Sequence, residues 1–247
     1  MAHYDDPKFS YQNYWQPRQY EHRTEVMAIN RLLRHRTFST AADIGGGFGR
    51  LTKNISRYSR HTYLIEPSKK LRTEAQEYLH NDRKITFLPG TAQHTGLPDQ
   101  CLDLVSIVRV FHHIPHLQPV FVEITRILKP GGYLLLEFAN SLNFKARIAS
   151  LITGQPILLI PQEKRSTINI RRQSIPFVNH HPAHINQLLN NYSFRVQKTL
   201  SVSNFRSPFL KKLIPIKFML FLESVFSSLL SVFYFGPSIF ILATKDR

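Results

Sequence analysis

Apolar positions along this chain follow two periods, and the two periods take turns. From Glu21 to Arg34, Val26, Ile29, Leu32 and Leu33 fall at helical spacing. Short apolar runs then occur at 40–44, 62–66, 85–88, 102–108 and 132–138, each of strand length. Helical stretches at 48–59, 68–81 and 118–129 stand among them; the last has Pro119 near its start and Gly131-Gly132 past its end. Strands separated by helices need crossover connections, which predicts an α/β fold with a parallel sheet. After Asn140 the pattern changes. Residues 141–181 are interrupted by Pro156, Pro161 and Pro176 and carry Lys145, Arg147, Lys164, Arg165, Arg171 and Arg172, the make-up of a lid or insertion. A helix at 183–190 and a strand at 194–203 resume the fold, and 238–243 makes a final strand. The expected division is an N-terminal cap and helix over 1–37, a core over 38–140, and lid elements that complete the sheet over 141–247. There is no internal repeat and no low-complexity tract.

The stretch 208–235 is the most apolar part of the chain. Phe218 to Phe235 contains one charge, Glu223, and approaches the length of a membrane span. Ser224, Ser227, Ser228 and Ser231 recur at i, i+3, i+4, i+7 and give this helix a narrow polar stripe. Such a stripe suits a helix packed on protein along one side, or one lying in a membrane interface. Pro215 and Gly236-Pro237 bound it and a strand follows at once, so a span would tear that strand from its sheet. A lid over an apolar substrate pocket is the preferred reading. Peripheral membrane docking helped by Lys211, Lys212 and Lys217 comes second, and a span third.

Charge and cysteine content narrow the setting. The 247 residues are enough for one large domain or a domain with a lid. The net charge of +16, from 32 Lys and Arg against 16 Asp and Glu, favours an anionic partner: nucleic acid, a phospholipid surface or an acidic substrate. A single cysteine, Cys101, excludes an internal disulfide framework and a cysteine-rich zinc site. Met1 to Asp6 show no basic and apolar segments of a secretory signal. A cytoplasmic protein is expected, with membrane association through 208–235 as an open option.

Candidate chemistry begins at residues 41–49, Ala-Ala-Asp-Ile-Gly-Gly-Gly-Phe-Gly. A strand that runs through a glycine turn into a helix brings backbone close to a ligand, where a Cβ would collide. The spacing of Gly45, Gly47 and Gly49 is G-x-G-x-G; Arg50 stands where the dinucleotide fingerprint wants its third glycine. Asp43 precedes the loop. Glu66 lies 21 positions beyond Gly45, at the end of the apolar run Tyr63-Leu64-Ile65, where a carboxylate can accept both hydroxyls of a ribose. His112 and His113 follow the run 102–108 at the sheet edge where open α/β folds bind ligands, and an imidazole can take a proton near neutral pH. The same pair can serve only to hold backbone. His180, His181 and His184 have no carboxylate or cysteine at ligand spacing, so no metal is expected there.

This stretch resembles motif I of the class I S-adenosylmethionine-dependent methyltransferases. The rest of 38–140 agrees in order. Gly90-Thr91-Ala92 follows the third strand, Leu102 to Ile114 resembles the family's fourth strand and loop, and Leu128-Lys129-Pro130-Gly131-Gly132 resembles its helix stop before the fifth strand. The likeness is greatest to the small-molecule group that includes the ubiquinone and menaquinone biosynthesis methyltransferases. It implies a Rossmann-like, seven-stranded, mostly parallel sheet with helices on both faces, and S-adenosylmethionine as cofactor. Gly45, Gly46, Gly47 and Gly49 would then approach its methionine and ribose part, Glu66 the ribose, and Thr91-Ala92 the adenine side. Asp43 would anchor the loop or meet the cofactor's amino group. Arg109 to Phe111 occupy the place of the Asn-Pro-Pro-Tyr motif of amino-methylating enzymes, which disfavours that chemistry; Arg109 is counted with the cofactor-binding residues. His112 and His113 are the catalytic candidates. The N-terminal Tyr14-Trp15 and Arg18 to Glu21 are a further candidate cover, with Arg18 for the methionine carboxylate. Three functions follow: methyl transfer to a small apolar or lipid-linked molecule, methylation of nucleic acid (disfavoured but open), and cofactor binding without catalysis.

Overall fold

The computed structural model describes residues 10–172 and 174–246. The first nine residues of the expected N-terminal cap lie outside the described residues. Seven strands, β1 (Phe38–Ile44), β2 (Ser59–Ile65), β3 (Ile85–Leu88), β4 (Leu102–Ile107), β5 (Leu128–Ala139), β8 (Phe194–Val202) and β9 (Ser238–Lys245), form one sheet in the order β3-β2-β1-β4-β5-β9-β8. The first five run parallel, and β9 enters antiparallel between β5 and β8. A short hairpin, β6 (Gln162–Glu163) with β7 (Val178–Asn179), stands outside the sheet. The expected sheet is present, and both the 38–140 and the 141–247 stretches contribute to it.

Helices cover both faces because the central strands are apolar on both sides. In β5, Leu134, Leu136 and Phe138 pack into one cluster, joined by α5 (Gln118–Ile127) and α8 (Pro182–Asn191). Leu135 between them faces the other cluster, with Ile29, Leu32 and Leu33 of α2 (Gln19–Leu33). A parallel strand buried on two faces reads as such a continuous apolar run. Two further helices cover the glycine end: α1 (Tyr11–Trp15) and α4 (Lys69–Tyr78). The helix expected over 48–59 is only α3 (Thr52–Ile55) followed by a 3₁₀ turn at Ser56–Tyr58, because the glycine loop runs to Gly49 and β2 begins at Ser59.

Beyond β5 come α6 (Phe144–Thr153), α7 (Thr167–Arg171), α9 (Pro208–Leu213) and α10 (Ile216–Val232). α10 packs on β8 and α2 and turns Met219, Glu223 and Ser227 inward, while Phe218, Phe221 and Leu229 face outward. No helix among the described residues is long and apolar enough to cross a membrane.

Candidate active site

The carboxyl ends of β1 to β4 open into a cleft of about 240 Å³, lined among others by Gly45, Gly47, Glu66, Thr91, Ala92, Arg109 and His113. The sheet order reverses between β1 and β4, and the crevice beyond such a reversal is where open α/β sheets bind ligands. Each wall follows a different strand, which is why residues scattered over seventy positions of sequence meet here.

The glycine loop is fixed from behind. Gly45 N–H donates to the Ile65 carbonyl at 2.7 Å and Gly47 N–H to Glu66 Oε2 at 3.1 Å. Gly45 and Gly47 have φ of +69° and +56°, and a Cβ on Gly45 would lie 2.3 Å from Val110 Cγ2. Both positions therefore require glycine, and both line the cleft. Gly46 and Gly49 do not line it: a Cβ there would strike Leu64 and Leu79 respectively, so they allow the loop to pack on β2 and α4. Asp43 is also absent from the cleft wall. It is buried and accepts from Thr52 Oγ1 at 2.6 Å, which fits the anchoring role; burial raises its pKa to about 6. Glu66, buried on the wall, also accepts from Ser68 N–H at 3.0 Å. The loop carrying Thr91 and Ala92 is clamped by Glu123, which accepts from Thr95 N–H and Oγ1 at 2.8 and 2.6 Å.

A second cavity of about 340 Å³ adjoins the first, and Tyr11, Arg109, His113 and Ile175 line both. Tyr14, Trp15, Arg18, Glu21, Phe177 and Arg206 complete much of its wall. Arg18 thus belongs to this cavity and not to the first, where the methionine-carboxylate reading needed it. Arg206 is exposed into the cavity, yet the protein crowded around it lowers its pKa, with Arg109 adding to the effect.

The two histidines differ. His113 Nδ1 lies 2.9 Å from the Pro176 carbonyl oxygen, which only accepts, so Nδ1 carries the proton and Nε2 is the basic nitrogen of the neutral ring. His112 is buried, and burial followed by the charges of its neighbours holds its pKa well below the ordinary value; it is a neutral imidazole against the second cavity. His180 is buried with Nε2 2.9 Å from the Phe111 carbonyl and so steadies the turn that presents both histidines. His181 caps α8, accepting from Ala183 N–H at 3.1 Å.

Several residues of this site escape the sequence reading. Glu25 is fully buried between Arg109 and Arg50, and Glu137 accepts the Arg109 N–H at 2.9 Å where that residue takes a φ of +64°. Glu25 does leave a trace: it stands four before Ile29 and seven before Leu32, a carboxylate on the apolar stripe of its helix. The lid expected of 208–235 is corrected by position. α10 lines neither cavity; Tyr11 and the 174–177 segment border the site instead.

Residues 42–136 match the methyltransferase domain family. The phthiotriol/phenolphthiotriol dimycocerosates methyltransferase 1 of Mycobacterium ulcerans is 26% identical over 52% of this chain and 46% of its own. A ubiquinone/menaquinone biosynthesis C-methyltransferase UbiE from Hahella chejuensis is 31% identical over 44% and 46%. The chain thus spans about half the length of the curated relatives it matches. The solved structure of a putative S-adenosylmethionine-dependent methyltransferase from Listeria monocytogenes superposes with a TM-score of 0.65 at 14% identity, covering 92% of this chain and 98% of that one. Family match, strand order and the glycine cleft agree, and the chain carries a class I S-adenosylmethionine-dependent methyltransferase domain.

Proposed function

We propose that the chain transfers a methyl group from S-adenosylmethionine to a small apolar or lipid-linked acceptor. The observation that carries this is the common border of the two cavities: a donor in the first and an acceptor in the second would both touch Tyr11, Arg109, His113 and Ile175. The Gly45–Gly47 backbone, the Glu66 carboxylate and Thr91-Ala92 are the groups that would hold the cofactor. The glycines leave room that a side chain would fill, and a carboxylate at a strand end is the group that accepts from both hydroxyls of a ribose. When bound, S-adenosylmethionine supplies a methyl already activated on a sulfonium, so positioning in a dry site is the protein's main task.

His113 is proposed as the base that takes the acceptor's proton at Nε2, held in that tautomer by the Pro176 carbonyl. Tyr14, Trp15 and Phe177 beside Arg18 and Arg206 suit an acceptor with an apolar or aromatic body and a polar or anionic end. Relatives named for dimycocerosates and for ubiquinone and menaquinone biosynthesis point the same way. The test is methyl transfer from labelled cofactor to lipid, quinone and RNA fractions of the source cell. Label in the lipid or quinone fraction is expected. Label in RNA alone overturns the acceptor class, and cofactor binding without transfer to any fraction overturns the reaction.

A further inference from the structure

α10 is turned inside out. Two of its polar residues point into the protein: Glu223 accepts from Tyr20 Oη at 2.8 Å and from Asn204 Nδ2 at 3.0 Å, and Ser227 Oγ accepts from Arg31 at 2.9 Å, while Lys217 and Ser224 stay exposed. Its outward side carries Phe218, Phe221, Val225, Leu229 and Val232, each at least 51% exposed. Their spacing of i, i+3, i+7, i+11, i+14 makes one continuous stripe. α6 repeats the arrangement with Phe144, Ile148, Leu151 and Ile152, the last two 84% and 80% exposed. The two helices adjoin, since Phe144 stacks on Phe235 at 4.8 Å and Arg147 donates to the Phe233 carbonyl at 2.7 Å. Water selects the opposite orientation for a helix with one polar edge, so a bare apolar face of this extent marks a contact surface.

The charge around it says what kind. Within 141–181 and 204–237 the only carboxylates are Glu163, paired with Arg165 at 2.6 Å, and Glu223, buried. Ten Lys and Arg occupy the same stretches, among them exposed Lys145, Lys212 and Lys217. Lys211 is spent on Glu21, 2.6 Å away, and is not among the free cations. A second copy seated on this face would set these cations against one another. Single-stranded nucleic acid would use aromatic stacking, whereas much of this surface is Leu, Ile and Val.

We propose that α6, α9 and α10 form a docking face for a membrane surface bearing anionic phospholipid, with the apolar stripes in the headgroup boundary and the lysines at the phosphates. An apolar groove of about 450 Å³ between α6 and α9, lined by Phe144, Ile148 and Leu210, shares Arg206 with the second cavity, so the face lies beside the proposed acceptor site. Docking does not depend on methyl transfer, and its test needs no cofactor.

The full chain is floated with vesicles of phosphatidylcholine, alone or with phosphatidylglycerol, at low and high salt. Co-flotation with the anionic vesicles, weakened by salt, is expected. Lys212→Gln with Lys217→Gln should weaken it about 30-fold, and Phe221→Ser with Leu229→Ser at least tenfold by about the same interfacial logic. Those side chains are exposed, so thermal melting should stay unchanged in both variants. A wild-type chain that floats with no vesicle overturns the proposal. So does self-association that Phe221→Ser with Leu229→Ser abolishes in the absence of vesicle binding, or vesicle binding indifferent to both pairs of substitutions.

Discussion

Glu25 Oε1 lies 2.5 Å from the guanidinium of Arg109, joining the N-terminal helix to the loop that borders both cavities. The other oxygen meets Arg50, 2.7 Å away just past the glycine loop. Burial pushes the Glu25 pKa up, but Arg109 and then Arg50 reverse the sign and leave it below the ordinary carboxylate value. One carboxylate therefore holds α2 to both loops of the site. Glu25→Ala leaves two guanidiniums without their partner, and breaking such a buried pair costs about 3–5 kcal/mol. Denaturant unfolding should show that loss, and calorimetry should show weaker S-adenosylmethionine binding. A variant with near wild-type stability and affinity would mean that the loops hold their shape without it.

Gly47 and Glu66 address the cofactor directly. Gly47 has a φ of +56°, and its added Cβ would lie 3.2 Å from Tyr11, so Gly47→Val should abolish binding of S-adenosylmethionine in a titration. Glu66→Ala should weaken binding by about 1–3 kcal/mol, the usual loss for a charge-assisted bond. Gly49→Ala is the contrast. Its Cβ would meet Leu79 at 2.6 Å, so the effect should appear as lower stability, with affinity nearly intact in the folded fraction.

For His113, the Pro176 contact sets the expectation. If Nε2 takes the acceptor's proton, His113→Ala lowers turnover by ~10²–10⁴ and leaves cofactor affinity almost unchanged. Single-turnover rates and a binding isotherm on the same variant separate the two. Lost affinity with unchanged turnover would make His113 part of the cofactor wall only.

The parallel half of the sheet is legible because period-two apolar runs and helical stretches alternate, and because glycines mark where β1 ends. Gly45, Gly47, Glu66, Thr91 and Ala92 fall where position in that alternation puts them, at strand ends, and they converge on one cleft. The packing roles of Gly46 and Gly49 are not legible, since they depend on Leu64 and Leu79 from other elements. Glu137 and Arg206 meet Arg109 or the second cavity across long sequence separations with no local pattern to announce them, and Glu25 shows only as a carboxylate on an apolar helical stripe, with nothing nearby to name Arg109 as its partner. The orientation of α10 is the instructive miss. Of the serine stripe only Ser227 is buried, on Arg31; Tyr20 and Asn204 hold Glu223 beside it, and so the side carrying Phe218, Phe221 and Leu229 is left outside.

Those partners make the seat of α10 sensitive to pH through Glu223. Burial raises its pKa to about 7, despite the donors from Tyr20 and Asn204 that oppose the shift. A carboxyl with a folded pKa above its unfolded one stabilises the native state fully below the unfolded value of 4.5, and that contribution is lost as pH rises through about 7. The buried histidines, whose pKa values are lowered, act in the opposite sense, so the raw stability curve mixes both. Comparing wild type with Glu223→Gln removes the histidine part, because both proteins share it. Between about pH 5 and about pH 8 the stability difference should move by about 2.5 kcal/mol in favour of the glutamine variant. Urea unfolding at the two pH values measures it. A difference that stays constant across the window would place the Glu223 carboxylate in a solvated setting, and α10 would then not be seated on β8 and α2 as described.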